Sequence, residues 1–115
     1  MIVYIVNSIS LNMFPQLGEL TWEPATNEKV NSVKELLKNN SEDPVIIPAI
    51  GHEDLARIID VPCNRISVNA KYGDKFLVAQ YIGPRLSEGS TTLPDGASIR
   101  WYWCGLFRLK LFTRR

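Results

Sequence analysis

The first residues of the chain, MIVYIV, limit its fold more than any other stretch. Their β-branched and aromatic side chains favour a strand, and the two faces of this strand are about equally apolar. A strand with two apolar faces is stable where both are covered, which is typical of the centre of an α/β sheet. The chain has 115 residues, which is enough for one domain with an ordinary core. We therefore predict a single α/β domain over residues 1–115.

Two later segments have the spacing of amphipathic helices. Residues 28–40 place valines and leucines on one face, and we expect Asn27 to cap this helix. Residues 52–60 show a shorter pattern of the same kind, which ends before Pro62. Between the two helices, residues 41–51 contain prolines and predict a loop.

The remaining apolar segments predict strands. Residues 18–24 and 98–107 each predict one strand, and residues 65–82 predict two strands joined at the tight turn YGD. Residues 83–97 predict a loop, and we expect the basic tail over about 106–115 to be a solvated strand end or a frayed terminus. Together these elements predict a mixed sheet of about five strands flanked by two main helices.

The composition argues against several classes of function. The formal net charge of +1 argues against a protein that coats DNA or RNA in general, because such proteins carry a strong basic excess. Cys63 and Cys104 lie far apart and the chain has one histidine, so we expect no metal site. The sequence shows neither a signal peptide nor an apolar run of membrane-spanning length. We expect a cytoplasmic protein with reduced cysteines, no cofactor and no membrane partner.

Three polar clusters lie where predicted strands end or a predicted helix begins. They are NSISLN after the first strand, GHED at the second helix and PRLSEG after FLVAQYI. Such places collect ligands in α/β proteins, because unpaired backbone N–H groups and the helix dipole favour anions there. The clusters predict a local anion site, and they contain His52, the only histidine of the chain.

Four motifs resemble those of the viral-type ring nucleases, small anti-CRISPR proteins of archaeal viruses, phages and some prokaryotes. The motifs are NSISLNMF, IGHEDLARII, NRISV and RLSEG, in the family's order and at close to its spacing. The resemblance covers nearly the whole chain. It implies a homodimer, in the host cytoplasm if the protein is viral, that binds cyclic tetra-adenylate, the second messenger of type III CRISPR defence. It also implies metal-independent cleavage of this ring to linear di-adenylate with a 2′,3′-cyclic phosphate.

The resemblance implies roles for individual residues. The family's catalytic histidine falls on His52, and the arginine and glutamate of its R-L-x-E-G motif fall on Arg85 and Glu88. The positions that contact the ligand are spread along the chain and fall on Asn7, Ser10, Asn12, Gly51, Arg65, Gln80 and Arg85. Many viral members carry a third helix before the last strand, but STTLPDGA is too short and too rich in proline and glycine to form one here.

The chemistry of these residue types agrees with the implied reaction. RNA can be cleaved without a metal when the neighbouring 2′-oxygen attacks in line, and an acid then helps the 5′-oxygen to leave. His52 is the only histidine that can supply this proton near neutral pH. A helix N-terminus disfavours imidazolium, so we expect Glu88 to stabilise the cation, while Arg85 binds the phosphate. No general base is evident, so we expect slow turnover driven by positioning.

Each of these residues also has a structural interpretation. His52 could simply cap its helix, and Arg85 and Glu88 could form a surface ion pair of little energetic value. The asparagines and serines after the first strand could serve only turns and caps. The aromatic residues 101–103 could stack on adenines, although aromatic residues that alternate along a strand more often belong to a core or an interface.

Two other functions are compatible with the sequence. A protein of the same fold could bind a cyclic oligonucleotide without cutting it, as a sponge or a sensor. Alternatively, a structural or nucleic-acid-associated viral protein could use the basic tail for binding, which predicts affinity for linear DNA or RNA with a steep dependence on salt.

Overall fold

Five strands and two α-helices make up most of the regular structure of residues 1–110, the part of the chain that the computed structural model describes. The strands, in chain order, are β1 (Ile2–Val6), β2 (Glu19–Pro24), β3 (Val45–Pro48), β4 (Lys75–Ile82) and β5 (Ser98–Phe107). The helices are α1 (Asn27–Lys38) and α2 (Glu53–Ile58), and a short 3₁₀ helix spans Leu11–Met13.

The strands form one mixed sheet in the order β2-β5-β4-β1-β3. β1 runs parallel to both of its neighbours, β3 and β4. The pairs β4 with β5 and β5 with β2 are antiparallel. Parallel neighbours need crossover connections, and the segments that lead from β1 to β3 and from β3 to β4 contain α1 and α2. The predicted α/β class, with a mixed five-stranded sheet and two main helices, is confirmed.

β1 is covered on both faces, as its apolar residues predict. On one face, Val3 and Ile5 belong to a buried cluster that α1 and α2 complete. On the other face, Tyr4 stacks on Phe76 of β4, with ring centroids 5.6 Å apart. An irregular segment packs on this second face instead of a helix, through Val68, Ala70 and Tyr72. Each fully buried aliphatic or aromatic side chain of this kind stabilises the fold by about 1.5–3 kcal/mol.

The predicted loop over residues 41–51 is wrong in part, because residues 45–48 form strand β3. This strand pairs with β1 in parallel register, from Val45 opposite Ile2 to Pro48 opposite Ile5. β3 lies at the edge of the sheet, where a proline does not have to donate to a second neighbour. An edge position at the end of the strand therefore accommodates a residue that argues against a central strand.

The predicted hairpin over residues 65–82 is half wrong. Its turn at YGD is present, with the Asp74 N–H donating to the Lys71 carbonyl at 3.0 Å, and β4 follows it. Residues 65–71, however, form no strand and lie across the sheet, where Val68 and Ala70 are buried. Alternating apolar residues can bury one side against the face of a sheet without pairing at its edge. The same sequence pattern is therefore compatible with a paired strand and with an unpaired segment that covers the sheet.

Both helices are shorter than predicted, and Asn27 is not the cap of α1. The Thr26 hydroxyl accepts the Lys29 N–H at 3.1 Å, so Thr26 is the N-cap and Asn27 is the first helical residue. In α2, His52 is the N-cap and the chain leaves the helix at Ile59.

The other predictions for the second half of the chain mostly agree with the structure. Residues 83–97 form a loop without a helix, and residues 98–107 form β5. The first two residues of the predicted basic tail, 106–107, end β5, and residues 108–110 have no regular structure. Residues 111–115 of that tail lie outside the described residues.

One residue with a buried carboxylate, Asp74, makes hydrogen bonds to several segments near the start of the central strands. Asp74 is 5% exposed, and its side chain accepts the N–H of Ile2 at 3.2 Å and the N–H of Lys71 at 2.9 Å. The Asp74 carbonyl also accepts the N–H of Leu106 on β5 at 3.1 Å. A single residue therefore links β1, the turn before β4, and β5.

We predict that Asp74→Ala lowers the free energy of unfolding by about 1–3 kcal/mol, because two amide N–H groups lose their acceptor. Urea unfolding followed by circular dichroism measures this change as a lower midpoint. Asp95→Ala removes the same charge from an exposed loop residue and is the matched control. Equal midpoints for the two variants would show that the Asp74 hydrogen bonds contribute nothing net to stability.

Candidate functional site

A cavity of about 420 Å³ lies at the carboxyl ends of β1 and β4. The two strands are parallel neighbours, so the residues that follow them emerge at the same edge of the sheet. The N-terminus of α2 and the loop after β4 complete the walls. The lining residues are Asn7, Ser8, His52, Leu55, Gln80, Tyr81, Gly83, Arg85 and Leu86.

The structure brings four of the predicted site residues together in this cavity. Asn7 directly follows β1, and Gln80 lies near the end of β4. His52 comes from the start of α2, and Arg85 from the loop after β4. All four side chains are exposed, so a ligand in the cavity can reach them.

His52 is held in place by a hydrogen bond to its own helix. Its Nδ1 accepts the Leu55 N–H at 3.2 Å, which makes the imidazole the N-cap of α2. Leu55 is only 3% exposed and belongs to the core, so this contact anchors the ring to a rigid part of the fold. An imidazole whose Nδ1 accepts a hydrogen bond carries its proton on Nε2 when neutral. The second nitrogen is therefore the one available to a ligand, as a donor.

The capping bond also sets a condition on charge. Protonation of Nδ1 turns it from an acceptor into a donor, so imidazolium cannot keep the hydrogen bond to Leu55. The two predicted roles of His52, cap and proton donor, are thus coupled in one side chain.

Arg85 enters the cavity from a tightly shaped turn. The Tyr81 hydroxyl donates to the Pro84 carbonyl at 2.5 Å. Gly83 has a φ of 151°, and a Cβ there would lie 2.7 Å from the Ala97 Cβ. No other residue fits this place without displacing the backbone at both ends of the loop. These contacts fix the direction in which the chain leaves β4 and thereby where Arg85 begins.

Glu88 lies three residues beyond Arg85 on the same loop, but it is not among the residues that line the cavity. Within residues 1–110, no ion pair joins Glu88 to Arg85 or to His52. The alternative of a surface ion pair between Arg85 and Glu88 is therefore not seen, and the contact of Glu88 with His52 stays a prediction.

Gly51 and Arg65 contact each other beside His52. The Arg65 Nε donates to the Gly51 carbonyl at 2.9 Å, and a Cβ on Gly51 would lie 3.2 Å from the Arg65 Cγ. The arginine side chain therefore packs closely over the residue that precedes His52. Arg65 is exposed as well, so this guanidinium lies at the surface near the start of α2.

Ser10 and Asn12 are not brought into the cavity that contains His52. Ser10 precedes the 3₁₀ helix, and its side chain makes no capping hydrogen bond. Asn12 lines a different cavity, of about 480 Å³, together with Gln16 and Gly18. The structure therefore places these two predicted ligand contacts outside the group that His52, Arg85, Asn7 and Gln80 form.

An apolar groove of about 470 Å³ adjoins the site and shares Asn7, Ser8 and Gln80 with it. Its other walls include Tyr102 and Trp22, and Trp22 is 70% exposed on the edge strand β2. Sequence reasoning does not single out Trp22, Ser8 or Tyr81. Ser8 and Tyr81 directly follow the predicted site residues Asn7 and Gln80 in the chain, and this adjacency could have indicated them.

The other aromatic residues of β5 belong to the opposite face of the sheet. Trp101 and Trp103 are half-buried and pack against the cluster under α1. The Lys29 ammonium lies 4.6 Å from the ring centre of Trp103, and that of Lys34 lies 5.7 Å from Trp101. These two tryptophans therefore have a structural role, and Tyr102 is the aromatic residue of this stretch that reaches the groove.

The described residues show no preformed metal centre. Within 1–110, no three His, Cys, Asp or Glu side chains come together in a way that could hold a metal ion. No helix in this part of the chain is long and apolar enough to cross a membrane. Cys63 is exposed and Cys104 is buried, and both are free. Burial raises the pKa of the Cys104 thiol, so this residue presents a neutral side chain to the groove.

Comparisons with known proteins agree with this fold. The profile of a family described as STIV B116-like matches residues 3–96, a range that includes every residue of the cavity. The solved structure of B116 from Sulfolobus turreted icosahedral virus (STIV) is similar, with a TM-score of 0.68 and 25% identity. The match covers 90% of this chain and 97% of that chain. A search of curated proteins gives no match. The chain therefore belongs to the STIV B116-like family, a family of viral type.

Proposed function

We propose that this protein is a metal-independent ring nuclease that cleaves cyclic tetra-adenylate to linear di-adenylate with a 2′,3′-cyclic phosphate. Removal of this messenger would damp type III CRISPR signalling. The observation that carries the proposal is the cavity in which His52, Arg85, Asn7 and Gln80 converge. An imidazole, a guanidinium and two amides suit general acid catalysis and the binding of phosphate and bases. The choice of cyclic tetra-adenylate as the proposed substrate rests on the resemblance of the four motifs to those of the viral-type ring nucleases.

The proposed reaction uses the ring's own 2′-oxygen as nucleophile. The 2′-hydroxyl loses its proton to solvent, its oxygen bonds to the adjacent phosphorus, and the bond from phosphorus to the 5′-oxygen breaks. His52, as the imidazolium, gives its Nε2 proton to that leaving oxygen and becomes the neutral ring that caps α2. Arg85 offsets the charge that develops on the phosphate, where its planar fork matches two oxygens. Asn7 and Gln80 orient the nucleotides on either side.

Because of the capping bond of His52, we expect this reaction to be slow. A strong acid would be the imidazolium, which forms only when the Leu55 N–H loses its acceptor. The neutral ring still offers Nε2–H as a hydrogen-bond donor to the leaving oxygen. Glu88 belongs to the proposal as the carboxylate that would favour the cation once a ligand is bound. Rate acceleration then comes mainly from holding the 2′-oxygen in line.

The proposal includes a two-fold homodimer. A cavity of about 420 Å³ is too small to enclose a ring of four nucleotides, so each protomer would hold about half of it. In an isologous dimer the same residues face the ligand from both sides. The two copies of His52 would then lie at opposite phosphates of the ring. Cleavage at both phosphates would give two molecules of di-adenylate.

We predict that His52→Asn abolishes most cleavage while the fold is kept. Asparagine is a good N-cap, so it can accept the Leu55 N–H, but it has no Nε2 to donate a proton. The expected loss is about 10²–10⁴-fold in rate. Liquid chromatography and mass spectrometry of cyclic tetra-adenylate incubated in EDTA measure it.

Three outcomes of this experiment contradict the proposal in different ways. Full activity of His52→Asn would remove the acid from the mechanism. An intact ring that binds tightly to the wild-type protein would favour a sponge or a sensor. An intact ring that does not bind, together with salt-dependent binding of linear RNA or DNA, would favour a nucleic-acid-associated structural protein.

We predict that Arg85→Gln weakens binding of the ring. The variant is made on the His52→Asn background, so that the ring stays uncut, and calorimetry measures the dissociation constant. Loss of a charge-assisted contact of about 1.5–3 kcal/mol corresponds to weaker binding by about 10- to 100-fold. Arg108→Gln, at an exposed position beyond the end of β5 and outside this cavity, is the matched control. Equal effects of the two substitutions would mean that Arg85 acts only through net charge.

We also predict that the protein is a dimer in solution, with a mass twice that of the 13.0 kDa chain. Light scattering after size-exclusion chromatography measures this mass with and without the ring. Mixed dimers of wild type and His52→Asn would cut one side of the ring and release linear tetra-adenylate. A monomer that still produces di-adenylate would refute the shared site.

A further inference from the structure

The loop that carries Arg85 is held by hydrogen bonds to α2 as well as at its two ends. Asp54, in the first turn of α2, accepts the Gly89 N–H through Oδ1 at 3.1 Å. The Arg57 Nη1 donates to the same Oδ1 at 2.9 Å and to the Ser90 carbonyl at 3.1 Å. One carboxylate and one guanidinium on α2 therefore hold two successive residues of the loop.

The part of the loop that they hold is itself a defined turn. The Ser90 N–H donates to the Ser87 carbonyl at 3.1 Å, and the Ser90 hydroxyl donates to the same oxygen at 2.5 Å. Contacts to Gly89 and Ser90 therefore fix the orientation of residues 87–90 as a unit. Arg85 lies two residues before this unit and is thus held from both sides, by the turn at Gly83 and by α2.

The environment of Asp54 separates it from an ordinary helix carboxylate. Its side chain is 14% exposed, whereas the side chain of Glu53, one residue earlier, is 67% exposed. Glu53 also contacts Arg57, with 3.5 Å between Oε1 and Nη2, and no hydrogen bond joins Glu53 to the loop within residues 1–110. Both residues suit the helix dipole equally, so the dipole does not explain why Asp54 faces the loop.

We propose that Asp54 is a positioning residue that, with Arg57, fixes Arg85 relative to His52. His52 is the N-cap of α2 and Asp54 is two residues further along the same turn. The helix therefore carries one reacting group directly and holds the other through the clip formed by Asp54, Arg57, Gly89 and Ser90. The catalytic part of this inference rests on the proposed function, and the structural part does not.

The experiment compares Asp54→Ala and Asp54→Asn with the matched control Glu53→Ala. Hydrogen exchange measures protection of the Gly89 amide, which needs no substrate. We expect Gly89 in Asp54→Ala to exchange at least about tenfold faster, because its acceptor is gone. Asp54→Asn keeps an acceptor oxygen for Gly89 and should be intermediate, and Glu53→Ala should match the wild-type protein.

The second readout is the kinetics of ring cleavage. Loss of positioning lowers kcat by about 10- to 100-fold in Asp54→Ala, with partial rescue in Asp54→Asn and no change in Glu53→Ala. Thermal unfolding of each variant checks that the fold is kept. A merely stabilising role would lower the melting temperature and leave kcat per folded molecule unchanged.

The two readouts together separate the clip from its role in positioning. Faster exchange at Gly89 together with a lower kcat supports the proposal. Faster exchange with unchanged kcat shows the clip but overturns its role in positioning, and exchange equal to that of Glu53→Ala overturns the clip itself. If the wild-type protein does not cleave the ring, the proposed function fails, and the exchange of Gly89 alone decides whether Asp54 holds the loop.

Discussion

Burial of β1 on both faces is the constraint on which the rest of the structure depends. Val3 and Ile5 need cover on one side and Tyr4 needs it on the other, so the chain must cross the sheet on both faces. The strand is parallel to both neighbours, which places the ends of β1 and β4 together. A cavity between two such ends is the natural place for polar side chains that the core cannot accept. The position of the candidate site is therefore a consequence of how the first strand is buried.

α2 is the element that joins the core to the proposed chemistry. It has only six residues, too few to be stable alone, and tertiary contacts through Leu55 and Ala56 hold it. Its N-cap is an imidazole where serine, threonine, aspartate or asparagine is more usual. Helix capping and the proposed proton donation thus make different demands on the same ring, since Nδ1 accepts a hydrogen bond in the cap. A side chain with that conflict is typical of functional sites, where local rules are broken for a reason.

Much of the fold follows from patterns within single elements, and the errors come from contacts between distant ones. β1, β4 and β5 are predictable because their β-branched and aromatic residues favour strands. The pattern predicts a strand at residues 65–71 and a loop at β3, and the structure has the reverse, because alternation predicts one buried face but not whether the backbone pairs. Thr26 and Asn27 are both good caps, and only the backbone geometry decides between them.

In the candidate site as well, sequence motifs predict some of the residues, and contacts between distant segments could not be predicted. Motifs identify His52 and Arg85, and the structure brings them to one cavity with Asn7 and Gln80. The clip from Asp54 to Gly89 spans 35 positions in the chain, and no local pattern indicates it. Ser10 and Asn12 lie in a matching motif but line no wall of that cavity, which shows that proximity in sequence is a weak guide to proximity around a ligand.

The close packing of Gly83 against Ala97 has a consequence for how such a protein can vary. The two ends of the loop meet there, and the clip to α2 restrains its first half, so the stretch from Thr91 to Leu93 is bounded on both sides by fixed points. Extra residues inserted in that stretch would extend outward from the molecule and leave the placement of Arg85 unchanged. This connection can therefore change in length without moving the segments that Asp54 and Ala97 hold.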